Sequence, residues 1–214
     1  MMPVPGSSEL LAIMRDAVGE MGSPAPMDTS RDAFPVLVST IISLRTRDAT
    51  TREVSGKLLD EAPSPEAIAA MDAGRLEELL RPAGFFRQKA GQLKAISSII
   101  LNEYGGSVPA EMDRLLELPG VGRKTANFVL GMVYGVPSIC VDVHVHRISN
   151  RLGLVATDTP DETELELQRI FPRDEWIGIN HTMVRFGQRV CRPQRPLCDR
   201  CPFKRDCPSS SREG

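Results

Sequence analysis

The sequence predicts an all-α protein of about ten short helices, and three observations carry that expectation. Apolar residues recur at three- and four-residue spacing along most of the chain, helix-start signals precede several of these runs, and glycines separate them. Only one segment alternates as a strand would, with Ile139, Val141, Val143 and Val145 interleaved with Cys140, Asp142, His144 and His146. An isolated strand has no partner to pair with. Asp142 is therefore read as the cap of a helix running from Val143 to Leu152.

Taken in order, the first apolar run, Phe34 to Leu44, reads as a helix too short and too interrupted by Ser and Thr to span a bilayer. Ser64-Pro65 starts another, with serine as cap and proline in the first turn. Leu76, Leu79 and Leu80 form one apolar stripe; Leu93, Ile96, Ile99 and Ile100 form the next, with Gly84 between them and Gly105-Gly106 after. Leu115, Leu116 and Leu118 end one helix, and Ala126, Val129 and Leu130 belong to its successor. Gly135-Val136-Pro137 marks a further break. Thr159-Pro160-Asp161-Glu162 has the form of a capping box, and a last helix is predicted from Asp174 to Val190.

The 214 residues suffice for one sizeable core or two small ones. Hydrophobic and charged fractions of 41% and 25% are those of an ordinary soluble globular protein. The opening MMPVPGSSEL lacks a basic-then-apolar signal, so a cytoplasmic protein without a membrane partner is expected. A net charge of −2 argues mildly against nucleic acid. Locally the balance reverses: Arg185, Arg189, Arg192, Arg195, Arg200, Lys204 and Arg205 face only Asp199 and Asp206, which suggests one basic face on an acidic body.

The five cysteines are unevenly placed. Cys140 stands alone in an apolar stretch and reads as a small buried side chain. Cys191, Cys198, Cys201 and Cys207 crowd the end of the chain. Without a secretion signal a disulfide framework is the less favoured use of such a group. Four thiolates suit tetrahedral zinc or an iron–sulfur cluster.

Leu118-Pro-Gly-Val-Gly-Arg-Lys-Thr-Ala126 is the most informative stretch. Gly120 and Gly122 permit unusual backbone conformations and a close ligand approach. The amides that open the following helix carry the positive end of its dipole, which suits a phosphate. Such a clamp would hold a nucleic-acid backbone without reading its sequence.

LPGVGRKTA, the later VDVH and the Cys-x6-Cys-x2-Cys-x5-Cys spacing together resemble the endonuclease III family of helix-hairpin-helix DNA glycosylases. The resemblance runs from about Phe34 to Cys207. It implies a two-domain helix-hairpin-helix DNA glycosylase fold. Residues 26–136 would form a six-helix barrel containing the hairpin at 118–126. Residues 1–25 and 137–214 would form an iron–sulfur domain from both termini.

The family also implies removal of oxidised pyrimidines from double-stranded DNA, with strand cleavage at the abasic site by β-elimination. Lys124 falls on its catalytic lysine and Asp142 on its catalytic aspartate. A lysine amine displaces the base and leaves a Schiff base. That amine must be neutral, and a nearby carboxylate favours its charged form. Asp142 is therefore expected to take a proton or to stabilise positive charge on the sugar.

Cys191, Cys198, Cys201 and Cys207 are implied to hold a [4Fe–4S] cluster, whose loop presents Arg192 and neighbouring arginines to phosphates. Gly120, Gly122 and Arg123 would contact DNA at the hairpin. A flipped base leaves a gap to fill; the family fills it from positions occupied here by Arg45 and Phe85. Arg45 stands where familiar members carry glutamine, Phe85 where leucine is frequent, and Val143 where threonine is common. Those departures fall where lesion and opposite-base choice are set, so substrate range is not carried over. His144-x-His146 is read as packing or hydrogen bonding near Asp142, since the two side chains diverge on a helix.

A monomer is expected, acting on DNA that holds a damaged base or an abasic site. A glycosylase without the lyase step and a DNA-binding iron–sulfur module are the alternatives.

Overall fold

The computed structural model describes residues 6–19 and 32–210. Among them are eleven α-helices and no strand: α1 (Ser7–Ala17), α2 (Ala33–Ser43), α3 (Asp48–Glu61), α4 (Pro65–Ala70), α5 (Ala73–Leu80), α6 (Phe86–Tyr104), α7 (Met112–Glu117), α8 (Arg123–Tyr134), α9 (Val143–Arg151), α10 (Pro160–Ile170) and α11 (Trp176–Arg189). The all-α expectation holds. Among the described residues no helix is long and apolar enough to cross a membrane.

Local chemistry sets many of the helix starts. Ser64 Oγ accepts from the Ala67 amide, Asp72 from Arg75 and Asp32 from Phe34; such caps stabilise a helix by about 1 kcal/mol each. Thr159 and Glu162 close a reciprocal capping box on α10. Asp142 caps α9 through both His144 and Val145 amides, at 2.9 Å each. The alternating segment thus resolves into an extended lead-in followed by a helix. The predicted helix over Asp174 to Val190 starts later than expected: a short 3-10 turn, Arg173–Glu175, precedes α11.

The chain divides into two compact units, Asp28–Tyr134 and a second drawn from both ends, Met1–Met27 with Gly135–Gly214. Each has its own core. In the first, α6 packs against α4, α5 and α2, and α2 also packs against α3 and α8. Leu37 and Ile41 of α2, Leu93 and Ile96 of α6, and Val129 of α8 are fully buried there, each contributing about 2 kcal/mol. In the second, α11 packs against α9 and α1, around Met14, Ile148, Ile179, Met183 and Phe186.

Candidate active site

Three buried leucine and valine side chains fix the hairpin. Leu115 and Leu118 anchor α7 and its exit, and Val121 anchors the turn before α8. The turn closes with Val121 N donating to Leu118 O at 3.0 Å. Gly120 has φ +78°, and a Cβ on it would meet the Gln92 side chain of α6 at 2.3 Å. The positive φ favours glycine there, while the Gln92 side-chain end could move aside for a Cβ.

Gly122 differs from expectation. Its φ is not positive, and a Cβ there would meet nothing within 4 Å. Its exposed backbone leaves that side of the turn open. Lys124 is exposed in the first turn of α8, and Arg123 before it is half-buried.

Arg45 and Phe85, far apart in sequence, come together. The Arg45 guanidinium lies 5.2 Å from the centre of the Phe85 ring. Both residues occupy the left-handed region, φ 54° and 57°, which for residues with side chains costs about 1–3 kcal/mol each unless the surroundings hold them. Phe85 is 57% exposed despite its size. Beneath them is Lys89, only 3% exposed. Its Nζ donates to Ile42 O and Leu44 O at 2.6 Å each and to Thr46 Oγ1 at 2.8 Å. Burial pushes Lys89 down to about 8, which still leaves the ammonium as the main form at pH 7.

In the other unit, Asp142 is half-buried at the start of α9. Both amide bonds fall on Oδ1. His146 Nδ1 bonds Thr163 Oγ1 at 2.7 Å, and Arg147 Nη2 lies 3.0 Å from His144 Nδ1. The two histidines thus serve local hydrogen bonding, as expected. Val143 beside Asp142 is 72% exposed. Cys140 is buried.

Cys191, Cys198, Cys201 and Cys207 form no disulfide and line one cavity together with Arg151 and Phe186. Burial pushes the Cys201 thiol up, and the three neighbouring cysteines add to the effect. The loop is held by tight turns such as Cys207 N to Phe203 O at 2.8 Å. The Phe203 ring packs edge-on against Phe186 of α11, 5.8 Å between centroids. Among the described residues no three His, Cys, Asp or Glu side chains are arranged around a single metal ion.

The pattern of the HhH-GPD superfamily of base excision DNA repair proteins matches residues 38–173. The chain belongs to this superfamily. Endonuclease III of Thermotoga maritima is 48% identical over 183 residues, 86% of each chain. Two solved structures are similar throughout. A non-covalent endonuclease III–DNA complex has a TM-score of 0.88 at 33% identity, covering 96% of this chain and 95% of its own. A trapped endonuclease III–DNA covalent intermediate with an estranged adenine has a TM-score of 0.89 at 32% identity and 98% coverage of both chains. The HhH-GPD protein described here is a base-excision-repair DNA glycosylase.

Several residues of this HhH-GPD chain escape a reading of the sequence. Lys89 and Gln92 look like ordinary polar positions of an amphipathic helix. Arg147 and Arg151, one turn apart on α9, grip the start of the cysteine loop. Arg147 donates to Cys191 O at 3.0 Å; Arg151 donates to Arg192 O at 2.7 Å and to Pro193 O at 3.0 Å. The basic stretch is also divided in its duties. Arg189 donates to Val18 O and Lys204 pairs with Asp199 at 2.6 Å, whereas Arg192, Arg195 and Arg200 are exposed.

Proposed function

We propose that this glycosylase removes an oxidised pyrimidine from double-stranded DNA and then nicks the strand, using Lys124 as nucleophile. One observation carries the reading most: Lys124 is exposed directly after a hairpin turn whose left-handed Gly120 and open Gly122 suit a phosphate backbone. The trapped covalent DNA complex of the similar endonuclease III supports a covalent route.

In the proposed step the neutral Lys124 amine attacks the sugar C1′ and the bond from C1′ to the base breaks. The base leaves with that electron pair and a proton. The C1′–O4′ bond then breaks, O4′ takes up a proton, and the nitrogen lone pair closes an iminium at C1′ that acidifies C2′. Loss of a C2′ proton expels the 3′ phosphate, which nicks the strand. Asp142 is assigned the positive charge that develops on the sugar, or the proton released from the amine. Capping both α9 amides through Oδ1 fixes the carboxylate's orientation and leaves Oδ2 for that task. A glycosylase working only with activated water would have no use for Lys124.

Arg45 and Phe85 are assigned to the gap left by the extruded base. Their cation–π pairing gives one polar and one apolar surface for stacking. Gly120, Gly122, Arg123 and Arg192 are assigned to backbone phosphates. The unit containing Asp28–Tyr134 is read as the barrel, the other as the cluster domain, and the enzyme as a cytoplasmic monomer.

Four cysteines outside any disulfide around one cavity fit a [4Fe–4S] cluster held by Cys191, Cys198, Cys201 and Cys207. When bound, such a cluster supplies a cross-link for a loop that has little core of its own. The arginine grip on Cys191 to Pro193 then sets where Arg192 is presented.

The test is borohydride trapping on DNA carrying thymine glycol or an abasic site. A covalent complex that disappears in Lys124→Ala is expected. Base release without trapping would overturn the lysine assignment.

A further inference from the structure

We propose that Lys89 is a positioning residue that locks the Arg45 and Phe85 loops into one rigid prong, on which extrusion of the base depends. This rests on the assignment of those two residues to the base-stack gap. All three protons of the Lys89 ammonium are used, on Ile42 O, Leu44 O and Thr46 Oγ1. Helix α2 has no basic residue in its last turn, so α6 supplies the cation at the negative end of that helix.

The bonds reach both strained residues. Arg45 is flanked by Leu44 and Thr46, each of which accepts from Lys89. Thr46 Oγ1 also accepts from Gly84 N at 3.2 Å, and Phe85 follows directly. A Cβ on Gly84 would lie 2.5 Å from the Arg45 carbonyl oxygen, so the two backbones touch. The ammonium, buried under this contact, has no surface to offer DNA. Its place is to hold two left-handed residues in register. One turn further along α6, Gln92 lies against Gly120. The same helix therefore braces the hairpin.

The experiment compares the full chain with Lys89→Met and Thr46→Val on two duplexes. One carries thymine glycol beside 2-aminopurine, whose fluorescence rises on unstacking; the other carries an abasic site. For Lys89→Met, unstacking and single-turnover base release fall about ten- to hundredfold, while borohydride trapping at the abasic site stays within about threefold. Thr46→Val, which keeps two of the three acceptors, shows a smaller drop of the same kind. Equal losses on both duplexes, or unstacking as fast as in the parent, would overturn the proposal. If Lys89→Met does not fold by circular dichroism, Thr46→Val decides by the same comparison. Failure of the parent chain to trap at the abasic site would instead overturn the Lys124 assignment.

Discussion

The carbonyl oxygen of Arg45 occupies the space that a side chain on Gly84 would need, 2.5 Å from where its Cβ would sit. Backbone meets backbone there, so neither partner can swing aside as a side chain could. Gly84→Ala is expected to separate the two loops at a cost of about 1–3 kcal/mol. Urea denaturation measures the loss, and base release from duplex DNA should fall with it. A variant as stable as the parent would show that the loops yield freely.

Lys124→Ala should abolish covalent trapping while leaving stability within about 0.5 kcal/mol, because the side chain is exposed. Thermal melting together with the trapping gel separates loss of chemistry from loss of fold.

Asp142 caps α9, and substitution can separate that cap from the catalytic role proposed for its carboxylate. Asparagine caps a helix as well as aspartate does, whereas alanine forfeits about 1 kcal/mol. Asp142→Asn should therefore melt with the parent yet release base far more slowly. Asp142→Ala should lose both stability and rate. If Asp142→Asn keeps full activity, the carboxylate serves only as a cap.

Glu162 gives a pH signature. Amides of Thr159 and Asp158 hold its carboxyl below the ordinary glutamate value of 4.5. A folded-state value lowered in this way adds stability above the unfolded pKa, and that stability is lost as pH falls through the folded one. The difference in urea midpoint between the parent and Glu162→Gln should be constant near neutrality and shrink below about pH 4.5. A difference that grows on acidification would contradict the sign.

The cysteine loop predicts bound iron. Purified protein should contain about four irons and matching sulfide per chain and absorb visible light. Cys201→Ser should lose that absorption and lower the melting temperature. One zinc per chain would overturn the cluster.

What the sequence reveals follows from how local each signal is. Ser64, Thr159 and Asp142 cap helices through bonds to residues two or three positions away, so the same few letters carry both signal and structure. The cysteine spacing is legible for a similar reason, since short turns gather the thiols. Arg45 and Phe85 carry no mark of their left-handed backbone, because side-chain-bearing residues adopt it only when distant groups compel them. Lys89 is the clearest case. Its pattern is that of a surface lysine, and its burial exists only once α2 and α6 have met. Gly122 errs the other way: a glycine two residues after one with positive φ invites the same explanation, yet its own φ is not positive.

Building the second unit from both ends of the chain has a consequence for synthesis. Leu10, Leu11 and Met14 of α1 are made before the intervening unit, yet they are buried in the core that includes Phe186 of α11. Everything from Asp28 to Tyr134 must leave the ribosome before that covering exists. During that interval, seconds long at about 5–20 residues per second, the apolar face of α1 lacks α11. The intervening unit can complete its core in the same time. A nascent chain halted after Tyr134 would thus hold Leu10, Leu11 and Met14 without the α11 that covers them.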